Sequence, residues 1–267
     1  MLKDITLGQY FPGHSVLHRL DPRTKLIGVV VYIIALFLCT QLLSYGVVAL
    51  FLAWMIHTSG VGMKAMVRGL RPVLVIMIFT GVLNLFYTGG TPLIEIGFVT
   101  ITVEGVWRAF FMVARIMMLI MGTFLLTYTT SPIMLTDAIE SVLGPLKKLH
   151  LPIHELAMIM SIALRFVPTL IEETDKLMSA QKARGADFES GNLIEKAKAL
   201  VPLLVPLFVS AFRRAEELAV AMESRCYHGG EGRTRLRQLK YERRDFIAML
   251  VLALLVIVVV ILRSFGL

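Results

Sequence analysis

Long runs without a charged residue alternate along this chain with short stretches that carry several. Between Lys25 and Lys64 lie 38 uncharged residues, close to the roughly 40 that two membrane-crossing helices require, and Gln41, Ser44, Tyr45 and Gly46 near the middle supply a turn. The pattern predicts a tight hairpin of two spans. A third span is predicted in the 23 uncharged residues between Arg71 and Glu95, which end in the turn-like Tyr87-Thr88-Gly89-Gly90-Thr91-Pro92. Val106 to Thr130 predicts a fourth, apolar but carrying Arg108 and Arg115. The 17 uncharged residues between Asp245 and Arg263, almost all Ile, Leu, Val and Ala, predict the fifth.

Residues 131–244 have another character. Pro132, Pro145, Pro152, Pro168, Pro202 and Pro206 punctuate them, and the pieces between show helical apolar spacing. Ser131 is the expected N-cap of a helix that starts at Pro132 and runs to about Leu149. A second helix is expected over Pro152 to Arg184, apolar from Leu156 to Ile171 apart from Arg165, then charged, with a bend at Pro168. A short helix, Leu193 to Leu204, and another from Pro206 to about Tyr227 complete the set, with Gly185 and Gly229-Gly230 as the C-terminal caps. The expected fold is all-α: about five transmembrane helices plus long amphipathic cytoplasmic helices between spans four and five. Its parts are 1–130 (an N-terminal cytoplasmic segment and four spans), 131–243 (the amphipathic helices) and 244–267 (the last span).

Composition supports the membrane. Of 267 residues 57% are hydrophobic and 17% charged, against about 45 to 50% and about 25% in soluble domains. The net charge of +8 reads as topology rather than as an affinity for nucleic acid. The segment up to Lys25 holds 4 Lys and Arg and Lys64 to Arg71 holds 3, whereas the connections at Thr40–Gly46 and Gly89–Gly105 hold none. That asymmetry predicts a cytoplasmic N-terminus and, with five spans, an outside C-terminus in a prokaryotic cell membrane. Residues 131–244 add 17 more. Of these, the basic stretch 231–244 reads as an anchor for anionic headgroups.

Several chemistries are disfavoured. The chain lacks a Gly-x-x-x-x-Gly-Lys-Ser/Thr phosphate loop, so ATP would have to be bound elsewhere. Spans one, two, three and five contain no Asp or Glu, which removes the usual residues of a proton or sodium relay. His14 with His18, and His150 with His154, have helical ligand spacing but no third ligand, so no metal site is expected. Cys39 and Cys226 lie in dissimilar settings and predict no disulfide. In the fourth span Arg108 is read as snorkelling beside Glu104. Arg115, deeper, is assigned either helix-end carbonyls or a subunit contact.

One internal similarity remains. Leu177 to Gly185 and Leu218 to Cys226 superimpose at an offset of 41 residues, and each ends with an arginine between two small residues. Small neighbours let another backbone approach, and a planar five-donor guanidinium suits a carboxylate on a docking partner. Met158, Met160, Met178 and Met222 on the same helices suit an adaptable surface.

Ala183-Arg184-Gly185 and Ser224-Arg225-Cys226 resemble the paired Ala-Arg-Gly-type motifs of the transmembrane T component of energy-coupling-factor transporters. The opening Gly8-Gln9-Tyr10-Phe11-Pro12-Gly13-His14-Ser15, continuing to His18-Arg19-Leu20-Asp21-Pro22-Arg23-Thr24-Lys25, is similar to that family's first segment. The resemblance covers essentially the whole chain, and the second motif departs from it by Ser and Cys around its arginine. It implies a non-catalytic scaffold without cofactors of its own. Two ABC-type ATPases would bind ATP and Mg, one docked at Arg184 and the other at Arg225. A small membrane S component would capture a vitamin or other micronutrient. Asp21, Arg23 and Arg115 are assigned a subunit contact or a structural role. The alternative is a self-contained channel or secondary transporter gated by the cytoplasmic helices.

Overall fold

The structure, a computed structural model, describes residues 10–96, 99–149, 152–188, 192–229 and 238–265. They contain helices α1 (Pro22–Leu38), α2 (Leu42–Ser59) and α3 (Met63–Tyr87), strands β1 (Pro92–Ile96) and β2 (Val99–Thr102), and helices α4 (Val103–Thr129) and α5 (Pro132–Leu143). A 3-10 segment (Gly144–Leu149) leads to α6 (Ile153–Ala183) and α7 (Leu193–Glu223), and α8 (Arg243–Ser264) follows. The residues group into two compact units. One comprises Gly8–Ser141 and Gln238–Leu267; the other is built on Val142–Arg237.

Among the described residues five helices are long and apolar enough to cross a membrane: α2, α3, α4, α6 and α8. The sequence led us to expect α1 in this set rather than α6. At 17 residues α1 is about 25 Å long, one residue shorter than α2 and at the lower end of the range that crosses a bilayer. α6 qualifies because 31 residues include a long apolar stretch. The connection between α3 and α4, read as a turn-rich loop, also forms a small antiparallel hairpin in which Pro92 pairs with Thr102 and Ile96 with Val99.

In the first unit α1 packs on α8 and α4, α4 on α3, and α2 on α4 and α8. Tyr32, Leu36, Val48, Leu52, Met66, Met118, Tyr128 and Val259 form its buried core. Glycines permit close approaches here, two of them at the contacts of α1. A Cβ on Gly122 would overlap the Tyr32 ring, whose hydroxyl donates to the Met118 carbonyl at 3.1 Å, and one on Gly28 would come within 3.0 Å of Leu252 on α8. Helix α5 starts as expected, with the Met134 N–H donating to Ser131 Oγ at 3.3 Å, but its helical hydrogen bonding tightens to 3-10 geometry from Gly144, one residue before Pro145.

The second unit is dominated by α6 and α7, which pack on each other and are 31 residues each, about 46 Å long. The expected break between Leu204 and Pro206 does not occur: α7 passes through Pro202 and Pro206 without interruption. Each proline removes one N–H from the ladder, but the surrounding Leu and Ala favour the helix. A capping box anchors its start, the Asn192 N–H donating to Glu195 Oε2 at 3.0 Å.

Candidate functional site

The two arginine motifs close α6 and α7 with the same backbone geometry. After α6 the Gly185 N–H donates to the Lys182 carbonyl and the Ala186 N–H reaches back to Gln181, both at 3.0 Å. After α7 the Cys226 N–H donates to Glu223 at 2.9 Å and the Tyr227 N–H to Met222 at 3.0 Å. Every partner is shifted by the same 41 residues. The residue after each arginine is left-handed: Gly185 has φ +89° and Cys226 φ 55°. Cys226 is the one non-glycine with positive φ among the described residues, so it, rather than Gly229, takes the cap position that glycine normally fills.

Ala183, Arg184, Gly185, Ser224, Arg225 and Cys226 are all exposed. Among the described residues neither guanidinium has a side-chain hydrogen bond or ion pair. Two unpartnered cations are thus presented on matched helix ends. Between the helices, Arg214 donates to Glu173 at 3.0 Å, and these residues are also 41 apart. Sequence reading missed this pair, although the repeat, extended eleven residues upstream from the arginines, points to it. On the N-terminal side of the tie α7 leaves Val201, Val205, Phe208, Val209 and Phe212 exposed, while few described apolar side chains of the unit are buried.

Asp21 and Arg23 sit elsewhere, in the first unit. Asp21 caps α1 by accepting from the Arg23 N–H at 2.9 Å, and its carboxylate also takes the Arg23 guanidinium, at 3.1 Å through Nε and 3.0 Å through Nη2. The Asp21 N–H donates to Asp245 Oδ1 at 2.8 Å, and the other oxygen of Asp245 accepts from the Glu242 N–H at 2.8 Å. Arg23 also donates to Ser141 and lies 4.0 Å from the Tyr241 ring centre. The guanidinium therefore touches the residues just before and just after the inserted helical segment.

Lys25, the last charge before the first uncharged run, donates to the Thr129 carbonyl at 2.9 Å and to that of His18 at 3.4 Å. His18 itself engages Ser15 and the Phe11 carbonyl through its two ring nitrogens. His150 and the basic positions 233, 235 and 237 lie outside the described residues.

Arg115 donates to the Cys39 carbonyl at 3.0 Å, at the end of α1, and stands over the rings of Phe37 and Tyr45. The expected ion pair between Glu104 and Arg108 is replaced by another contact. Glu104 accepts from the N–H and hydroxyl of Thr91, at 2.8 and 3.0 Å, because the β hairpin brings Thr91 back to the start of α4.

Fold and site together define a polytopic helical membrane protein with a paired helical unit whose two ends each present one arginine. A family model described as cobalt transport protein, CbiQ, matches residues 13–236. The chain is 54% identical over 256 residues to a protein of Thermosediminibacter oceani, covering 96% of this chain and 97% of that one. It is 53% identical over 265 residues to one of Clostridium kluyveri, covering 98% of each. It is 49% identical over 259 residues to one of Bacillus subtilis, covering 96% and 98%. All three are named energy-coupling factor transporter transmembrane protein EcfT. The chain belongs to this EcfT family and is a membrane subunit of an energy-coupling factor transporter.

Proposed function

We propose that this subunit is the scaffold that couples two ABC-type ATPases to a small substrate-binding S component. Arg184 docks on acidic residues of one ATPase and Arg225 on those of the other. The observation that carries this reading is the matched pair of helix ends, with both arginines exposed and unpartnered among the described residues. Each arginine lies eleven residues beyond its own member of the Glu173–Arg214 tie, about 16 Å along the helix. Two equivalent cations on equivalent levers suit two equivalent partners. A guanidinium with free donors forms bidentate hydrogen bonds with a carboxylate, so a rigid helix end transmits a push rather than absorbing it.

The exposed apolar stripe of α7 supports an assembly in which partner or lipid covers this unit. Orientation follows the charge asymmetry: the N-terminus and the α6–α7 unit are cytoplasmic. Helix α1, at the lower end of the spanning range, crosses with α2, α3, α4 and α8, which leaves the C-terminus outside, while α6, although long and apolar enough, is placed with α7 because its C-terminal half is charged. ATP and Mg belong to the ATPases, and substrate choice, a vitamin or other micronutrient, belongs to the S component.

Capture of the ATPases from co-expressing cells tests the docking. Arg184→Glu together with Arg225→Glu abolishes capture while the protein still inserts, and each single variant retains one ATPase. Unchanged capture by the double variant overturns the assignment.

A further inference from the structure

Within the unit formed by Gly8–Ser141 and Gln238–Leu267 lies a cavity of about 240 Å³, bounded by α1, α2, α4, α8 and the segment before α1. Its lining is divided along its length. Thr24, Lys25, Thr58, Thr129 and Arg244 lie at one end, where α1 and α8 begin and α2 and α4 finish. Away from that end Tyr32, Phe51, Gly122 and Leu252 leave only apolar surface. From Thr24 to Tyr32 on α1, and from Arg244 to Leu252 on α8, the cavity runs about 12 Å, comparable with the ~15 Å depth of one leaflet's hydrocarbon. Val16 (60% exposed), Trp54 (51%) and Ile247 (63%) line it while remaining largely accessible, so the cavity is open to the surroundings.

The polar end is unsatisfied in a particular way. The Thr24 side chain is buried at 2% exposure, and its hydroxyl has no hydrogen-bond partner among the described residues. Among the described residues Lys25 donates only to backbone carbonyls, those of His18 and Thr129. The nearby carboxylates are engaged elsewhere, Asp21 by Arg23 and Asp245 by the N–H groups of Asp21 and Glu242. Arg244 has a loose 3.5 Å contact with the exposed Glu242. Among the described residues the lining contains no Asp or Glu.

We propose that this cavity binds one acyl chain of an anionic glycerophospholipid, with the lipid phosphate between Lys25 and Arg244 and a lipid oxygen at the Thr24 hydroxyl. The apolar length takes the chain and the two cations take the headgroup, at the level where the uncharged run of α1 begins. A partner's transmembrane helix would fill the apolar part but leave two cations and a hydroxyl facing an apolar surface, which is costly. The lipid would seal the seam between α1 and α8 and fix the helix starts that adjoin the Asp21–Asp245 contact. The inference is independent of the ATPase assignment, since it concerns other residues and a different measurement.

Native mass spectrometry of the full-length chain in mild detergent, titrated with phosphatidylglycerol or phosphatidylcholine, provides the test. The expected result is one retained phosphatidylglycerol with clear preference over phosphatidylcholine. Lys25→Gln lowers that preference about fivefold, and Lys25→Gln with Arg244→Gln roughly thirtyfold. Ala248→Phe, which fills the cavity and keeps both cations, loses both lipids. If Ala248→Phe does not fold, the two glutamine variants still decide the headgroup assignment. Equal retention of the two lipids, a detergent adduct alone, or an unchanged phosphatidylglycerol adduct in the Lys25→Gln, Arg244→Gln double variant overturns the proposal.

Discussion

Glu173 on α6 and Arg214 on α7 form an ion pair of 3.0 Å between residues that occupy the same place in two repeated helices. Contact between equivalent positions is what two matched elements give where they cross. The arginines at their ends are then equally distant from the tie, which is the arrangement a two-armed coupling element needs. Both side chains are about a quarter to a third exposed, so solvent screens the pair and its worth is about 1 kcal/mol or less. Its role is register rather than bulk stability. Arg214→Glu lowers the ratio of transport to ATP hydrolysis, and adding Glu173→Arg restores most of it. A double-mutant cycle on reconstituted transport measures this, and independent effects of the two substitutions would exclude a working pair.

The left-handed Cys226 gives a second expectation. Cys226→Gly retains ATPase capture and stabilises the helix end by about 1 kcal/mol, because glycine carries no Cβ penalty at φ 55°. Cys226→Val costs about 1–3 kcal/mol there and misdirects Arg225. Thermal unfolding together with ATPase capture checks both, and equal behaviour of the two variants would show that the cap conformation does not matter.

Asp245 is 2% exposed and accepts N–H groups from Asp21 and Glu242 on its two oxygens. In Asp245→Asn one oxygen becomes an amide NH2 that faces a donor. The loss is about 2–3 kcal/mol, or a fall in Tm of roughly 4–12 °C for a chain of this size. Arg23→Ala removes the partner of a buried carboxylate and loses at least as much. A detergent-solubilised melt that does not shift for either variant would refute the account of this cluster.

Arg115→Leu leaves the Cys39 carbonyl without its donor at the end of α1 and costs about 1–3 kcal/mol. Arg115→Lys recovers part of this, because one ammonium still reaches the carbonyl while the flat contact with Phe37 and Tyr45 is lost. Full stability of the leucine variant would place the function of Arg115 outside this chain, in a subunit contact.

What could be read in the sequence is what depends on near neighbours. Uncharged runs located the α1–α2 hairpin, α3 and α8, and an apolar stretch that carries Arg108 and Arg115 located α4, since hydrocarbon selects residue by residue. The offset of 41 located both arginine motifs, because helix ends are written in local chemistry. Pro202 and Pro206 misled for the same reason: a local breaker signal cannot weigh the helix on either side of it, and α7 runs through both. The α3–α4 connection misled as well, since the Thr91 contact that displaces Arg108 from Glu104 spans 13 residues.

The sequence by itself determined a membrane-embedded helical chain with two exposed arginine-bearing helix ends and a strong charge asymmetry. Only the tertiary structure decided that Asp21 meets Asp245 across 224 residues, that Glu173 meets Arg214, and that Thr24, Lys25 and Arg244 share one end of an apolar cavity. Periodicity says which face of a helix is apolar; which helix it faces, and what space is left between them, follows from packing of side chains far apart in the chain.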